Sequence, residues 1–367
     1  MVVYIGMDVH TTNYTLSSYT FETDNCFMTM KLAPDHKAIL RYIETLKKEL
    51  KDPDIEVVCG YEAGCLGYTL YKKLTDAGVK CIIVAPTTLP KQKAGEIKTD
   101  KRDAKKLARA LGTGTYKSVY VPDQDDEDVK QYIRMRDDHK TALKKIKQQI
   151  NALCLRNGFI FTEGKSKWTM KHVKWLRTLE MTDLQREILD EYLLTYDTLA
   201  LRLNDMDKKI QMIADTERYH DSVKKLSCFA GMSTHKALCH IVETGDFNRF
   251  KTADAYASYI GLVPGEHSSS TSINHLGITK AGNRHLRMLD IEAAQAIGRT
   301  SKTKSKALAE RQKGCTAEVI AYADKANARL RKKYLSLALT KNKNIAAAAV
   351  ARELNCFIWG MMTDHIS

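Results

Sequence analysis

Val2-Val3-Tyr4-Ile5-Gly6-Met7-Asp8-Val9-His10 is the stretch on which the fold turns. Its apolar residues read as a buried strand, and Asp8 sits at the end of that strand, where a carboxylate is costly unless it has a task. Working outward, a polar turn at His10 to Asn13 leads into alternating residues through Tyr19. Asn25 to Leu32 reads as a third strand, completing a three-strand meander. Asp35 to Leu50 carries Ile39, Tyr42, Ile43, Leu46 and Leu50 at helical spacing. Ile55 to Cys59 then reads as a strand, Gly64 to Ala77 as a helix and Val79 to Val84 as another strand.

Three strands followed by alternating helices and strands is the element order of an RNase H-like fold, although order alone does not separate it from other α/β folds. The carboxylates must decide. Glu62 follows the fourth strand in Gly60-Tyr61-Glu62-Ala63-Gly64, at the kind of strand-to-helix junction where ligands collect in open sheets. Asp100 and Asp103 lie in Lys98-Thr99-Asp100-Lys101-Arg102-Asp103-Ala104, at the start of a helix continuing through Leu107, Ala108 and Leu111. Separated by three positions, they project from one helix face. In isolation Asp100 would read as an N-cap and Asp103 as a residue favoured by the helix dipole. With Asp8 and Glu62 they make an oxygen-rich set suited to Mg²⁺ or Mn²⁺, ions that activate a nucleophile and stabilise a leaving oxygen.

After Pro122 the pattern changes to long helices. Val129, Ile133, Leu143, Ile146, Ile150 and Leu153, then Leu199, Leu203, Met206, Ile210 and Ile213, recur at spacings that predict a two-helix hairpin with a coiled-coil seam. A helical spacer packed on its own domain fits the same pattern. Between the arms, 157–181 reads as a loop or short helices. From Asp221 onward the chain reads as a compact helical domain, ending in an apolar amphipathic helix from Ile345 to Met362. Its turn at Gly231-Met232-Ser233 is either a degraded helix-hairpin-helix, which would offer backbone N–H groups to a phosphate, or a plain αα-hairpin.

Of 367 residues, 44% are hydrophobic and only six are proline, so a folded chain of more than one domain is expected. The net charge of +14 suits a partner with a dense negative field, nucleic acid above all. The excess clusters in two stretches, Lys91 to Lys117 and Lys280 to Lys313. Lys98, Lys101, Arg102, Lys280, Asn283, Arg284 and Arg287 are therefore the expected nucleic-acid contacts, against the alternative of ordinary solvated faces. Nine scattered cysteines without a CxxC pair read as reduced thiols and buried small hydrophobes rather than a zinc module. No basic leader precedes the first strand and no apolar stretch approaches membrane-spanning length, which predicts a cytoplasmic protein without a membrane partner.

A second chemical cluster follows in Gly261-Leu262-Val263-Pro264-Gly265-Glu266-His267-Ser268-Ser269-Ser270-Thr271 and Gly277-Ile278-Thr279-Lys280-Ala281-Gly282-Asn283-Arg284-His285-Leu286-Arg287. By composition the serines read as a polar loop, and a serine nucleophile would need a base or a metal to activate it.

With both clusters in view, the sequence resembles the DEDD transposases of insertion sequences, the family of the Piv-type invertases and the bridge-RNA-guided recombinases. Gly6 to His10, Tyr61 to Gly64, Lys98 to Ala104, Gly261 to Pro264 and Ile278 to Asn283 carry the resemblance, which spans nearly the whole chain. It implies a RuvC-like (RNase H-like) domain over 1–122 holding Asp8, Glu62, Asp100 and Asp103 on a divalent metal, a coiled-coil arm over 123–218, and a helical transposase domain with a serine loop over 219–367. It further implies a serine that becomes covalently joined to DNA. By position this is Ser268, with Ser269 as competitor, because Ser270 stands where the pattern has glycine. Donor and target double-stranded DNA, a structured guide RNA and a homo-oligomer, dimer or tetramer, are the implied partners. The alternative is a RuvC-like, metal-dependent, structure-selective endonuclease that forms no covalent intermediate.

Overall fold

The computed structural model describes residues 1–64, 66–86, 99–269 and 272–366, with the side chains of 266–275 outside that description. The chain forms two compact units, Met1–Val121 and Pro122–Ser367.

In the first unit, β1 (Val2–Val9), β2 (Tyr14–Thr20), β3 (Asn25–Leu32), β4 (Glu56–Glu62) and β5 (Lys80–Val84) form one sheet in the order β3-β2-β1-β4-β5. β2 runs antiparallel to β1 and β3, whereas β1, β4 and β5 are parallel. This is the strand order of an RNase H-like sheet. α1 (His36–Glu49) and α2 (Thr69–Asp76) cover one face, where Ile39, Tyr42, Leu46 and Leu74 meet Ile5, Met7, Cys59 and Tyr61. β2 is buried along its length, and three of its hydroxyls are paired, Ser17 with Thr29 at 2.9 Å, Ser18 with the Tyr42 hydroxyl at 2.7 Å and Thr20 with Thr23 at 2.7 Å, whereas Thr15 Oγ1 is buried without a hydrogen-bond partner among the described residues.

α3 (Asp100–Thr113) covers the opposite face. Alternation along the strands puts Gly6 and Asp8 of β1, and Gly60 and Glu62 of β4, on that face together. The glycines set the approach. A Cβ on Gly6 would lie 2.2 Å from both the Ala104 carbonyl oxygen and the Ala108 amide nitrogen, so the helix backbone rests directly on the strand.

In the second unit, α4 (Gln124–Arg156) and α6 (Asp183–Ala214) pack along one another, with α5 (Met170–Arg177) between them in sequence. Both long helices start on side-chain caps: Asp123 accepts from the Asp126 amide, and Thr182 forms a capping box with Gln185. Ile150, Leu153, Leu176, Leu189 and Leu193 form a separate small core among the three helices.

The larger core gathers α7 (His220–Ser227), α8 (Thr234–Thr244), α9 (Ala253–Ile260), α10 (Arg284–Gly298), α11 (Lys306–Gln312), α12 (Ala317–Thr340) and α13 (Lys343–Met362). The Gly231 turn is an αα-hairpin, with Met232 buried and Gly231 pressed on the Ala293 backbone. Two expectations change here. α13 is long and apolar enough to cross a membrane by length and composition, with half of that stretch buried, so a spanning-length apolar segment does exist. It packs on α9, α10 and α12. The serine segment is an antiparallel ribbon, β6 (Pro264–Ser269) with β7 (Ser272–Ile278), rather than a loop: hydroxyl-rich composition hides strands whose ladder is satisfied by pairing.

Candidate metal centre

β1 and β4 run side by side with Gly6 opposite Gly60 and Met7 opposite Tyr61, so Asp8 and Glu62 occupy the next register step on the α3 face. α3 begins beside them. Thr99, with extended backbone, is its N-cap and accepts from the Arg102 amide. Asp100 and Asp103 thus fall within the first turn, where the helix N-terminus favours negative charge. The cap reading of Asp100 is therefore corrected: Thr99 fills that position, leaving the Asp100 carboxylate available.

Asp8 and Asp100 lie close together, and His10, which sequence reading did not include among the metal-site residues, joins them. Ligand atoms of all three lie within 4.8 Å of one another. His10 Nε2 is 3.3 Å from the Asp8 carboxylate. Burial raises the Asp8 pKa above the usual carboxylate range; His10 opposes this, while Asp100 and Asp103 add to it by like-charge repulsion. Like-charged acids held together are the electrostatic condition that a divalent cation relieves, and oxygen donors with one imidazole fit Mg²⁺ or Mn²⁺. Glu62 is exposed at the strand end and engaged in an interaction within the fold.

Of the expected nucleic-acid contacts, Lys101 and Arg102 are exposed on the first turn of α3, and Lys98 lies outside the described residues. The side chains of Ser268 and Ser269 also lie outside that description, although their backbones pair with Ile273 and Ser272. The base of their ribbon is well defined. The Thr279 amide donates to the Val263 carbonyl at 2.9 Å and the Lys280 amide to the Gly261 carbonyl at 3.1 Å. Gly261 and Gly282 both have positive φ, and a Cβ on either would lie about 2 Å from a backbone carbonyl oxygen, 2.0 Å from Ala281 and 1.9 Å from Tyr259. These contacts account physically for the Gly-Leu-Val-Pro and Lys-Ala-Gly-Asn segments.

Beyond the ribbon, Asn283 caps α10 by accepting from the His285 and Leu286 amides and donates from Nδ2 to Glu243 at 2.9 Å. Arg134 of α4 clamps the same Glu243 with two hydrogen bonds of 2.7 and 2.9 Å. Alongside, His235 and His285 each place Nε2 3.1 Å from Asp137, which Arg136 contacts at 2.9 Å. Both imidazole nitrogens approach the carboxylate without the alignment of a hydrogen bond. Arg287 donates to the Ile260 carbonyl at 2.7 Å, whereas Lys280 and Arg284 are both exposed at the ribbon exit. Sequence reading missed the pairing of α4 with α10, because the partners are more than a hundred residues apart.

Comparison with known proteins agrees with this geometry. A family model described as "Transposase", for DEDD transposases of the IS110 type, matches residues 5–159. A second, "Transposase IS116/IS110/IS902 family", matches residues 223–310. The transposase for insertion sequence element IS1533 of Leptospira borgpetersenii is 32% identical over 351 residues, covering 93% of this chain and 98% of the relative. Putative transposase y4qE of Sinorhizobium fredii is 33% identical over 312 residues, covering 83% and 75%. The transposase for insertion sequence element IS1111A of Coxiella burnetii is 24% identical, covering 74% and 76%.

Proposed function

Because the chain belongs to the IS116/IS110/IS902 transposase family and is a DNA transposase, we propose that it cuts and rejoins DNA by pairing a four-carboxylate metal site with a serine nucleophile. One observation carries the metal half: Asp8 and Asp100 converge with His10, Asp103 raises the local negative potential, and Glu62 stands one strand away in register. Asp8, Glu62, Asp100 and Asp103 would hold the ion, and His10 would orient the Asp8 carboxylate. A bound Mg²⁺ or Mn²⁺ supplies charge neutralisation at a phosphodiester and lowers the pKa of a bound oxygen.

The serine half rests on position. Ser268, with Ser269 as competitor, lies in the segment matched by the second family model, on a ribbon whose ends are fixed by backbone contacts. In the proposed step the serine oxygen bonds to phosphorus as the bond to one deoxyribose oxygen breaks and that oxygen takes up a proton. Attack by a deoxyribose hydroxyl of the other DNA then releases the serine and joins the strands.

Lys101, Arg102, Lys280 and Arg284 are proposed contacts to DNA or to a structured guide RNA. Arg287, Asn283 and Lys98 belong to the same set, with Asn283 and Arg287 also holding the ribbon exit in place. We assign 1–122 to the RuvC-like metal domain, 123–218 to a coiled-coil arm and 219–367 to the transposase domain. Exposed Leu184, Ile188, Leu194 and Leu201 on α6 support the arm as a self-association surface in a dimer or tetramer. A cytoplasmic location, where DNA substrates would be met, belongs to the same proposal.

Ser268→Ala should abolish covalent protein–DNA adducts on denaturing gels while Ser269→Ala retains them. The reverse pattern moves the nucleophile to Ser269. Metal-dependent free ends without adduct in the wild type would replace this reading with the endonuclease.

A further inference from the structure

On the first unit, a cavity of about 470 Å³ opens between the start of β3 and the outer side of α3. Lys105, Lys106 and Arg109 line it with the Thr113 and Thr115 hydroxyls and Asn25, and the lining contains no carboxylate and no aromatic ring. Lys105 and Lys106 make no ion pair with an Asp or Glu among the described residues. Arg109 is held in place from the rim: Nη2 lies 3.2 Å from both the Asp24 carbonyl and carboxylate oxygens, and the guanidinium stands 5.9 Å over the Tyr19 ring. Two ammonium groups with no carboxylate partner among the described residues and one preorganised guanidinium are the donor set that a phosphodiester takes, while the Thr113 hydroxyl donates to the Arg109 carbonyl and pairs with Thr115.

We propose that this cavity is a phosphodiester seat for a nucleic-acid backbone, separate from the metal site and carried on the same helix. Its volume accommodates a nucleotide-sized unit. A lining dominated by cations and without a stacking ring makes it a backbone site, indifferent to sequence. Asp103 and Arg109 are six residues apart on α3, a rise of roughly 9 Å along the axis. A strand seated here is therefore held at a fixed distance from the carboxylates by one rigid element. This inference rests on the transposase reading above, and names where that reading's nucleic acid is gripped.

The test uses the full chain and fluorescence anisotropy with three labelled probes: a duplex of the element's end, an unrelated duplex, and a structured RNA from the element's non-coding end. Lys105→Gln/Lys106→Gln should weaken binding about tenfold. It should also lower the slope of log affinity against log salt by about one to two between roughly 50 and 200 mM salt. Both duplexes should respond equally. A loss confined to DNA or to RNA identifies the backbone seated, and a loss on both means the seat takes either. Lys105→Arg/Lys106→Arg should restore the slope. Unchanged affinity and slope on all three probes overturns the proposal. The two lysines are partly or fully exposed, and Lys106→Gln alone gives the same reading should the double variant fold poorly. Asp8→Asn, run in parallel, should bind normally and lose strand cleavage. Retained cleavage there defeats the metal-site reading and leaves the phosphodiester seat standing.

Discussion

Acids gather in both units, but they are treated in opposite ways. In the first, Asp8 is pushed upward by burial and by Asp100 and Asp103, with only His10 in opposition. In the second, burial also pushes Glu243 and Asp137 upward, yet it is overcome. Arg134 and Asn283 hold Glu243 below the ordinary carboxylate range, and His235, His285 and Arg136 hold Asp137 lower still. A carboxylate that the fold has neutralised is scaffold, fastening α10 to α4. Asp8, raised beside other acids, is the carboxylate that we propose a cation from outside would match. Buried acidity alone would have marked both clusters as sites; the balance of partners separates them.

The largest expected effect breaks the comparison at its reactive end. Asp8→Asn should reduce metal-dependent strand cleavage by about 1000-fold or more, while the metal-free thermal midpoint stays level or rises as repulsion with Asp100 is relieved. A fall in midpoint comparable to that of a core variant would make Asp8 scaffold too. Arg134→Ala tests the opposite end. It strands Glu243, whose side chain is 3% exposed, and should cost about 3 kcal/mol in chemical unfolding of the second unit. Divalent metal should raise the midpoint of wild type and of this variant, but not that of Asp8→Asn.

Gly6→Ala should be similarly damaging, about 3 kcal/mol, because its methyl group meets backbone rather than a side chain that can turn aside. Its activity should fall further than its stability, since α3 carries Asp100 and Asp103. Smaller is the pH response, which has opposite sign in the two regions. The raised pKa of Asp8 means that the folded state holds its proton more tightly. Metal-free stability of the first unit should therefore fall as pH rises from the ordinary aspartate value through the raised value of Asp8. Glu243 and Asp137 are depressed, so their contribution is present above their ordinary values and is lost as pH falls below about 4. Unit-specific fluorescence melts from pH 3 to 7 would check both signs. Smallest is Thr99→Ala, about 1 kcal/mol from the α3 cap, measurable as a shift in denaturant midpoint.

The alternation of helix and strand in the first unit was legible because each element shows one apolar face. The spans read from periodicity, such as Asn25 to Leu32, coincide with the elements or overlap them closely. Asp8 stood out in the sequence because charge on or beside a strand is rare and expensive, and the structure brings it together with Asp100. What sequence hid is contact between distant segments. Nothing around Gly6 announces that Ala104 and Ala108 will rest on it, and His10 gains meaning only when Asp100 arrives across the sheet. Asn283 looks like a free polar residue in a basic stretch until its cap and Glu243 are seen. The ribbon was obscured because serine and threonine read as loop wherever strand pairing is out of view.

The backbone hydrogen bond from Thr279 to Val263 has one more consequence. It brings the two ends of the serine ribbon side by side, so the stretch from Pro264 to Ile278 leaves and rejoins the helical unit at one doorway. A segment with adjacent ends can be exchanged as a cassette, lengthened, shortened or borrowed from a relative, at little cost in chain entropy. The helices behind the doorway need not move. Diversification of the serine ribbon can thus proceed while the glycine hinge posts at Gly261 and Gly282 remain untouched.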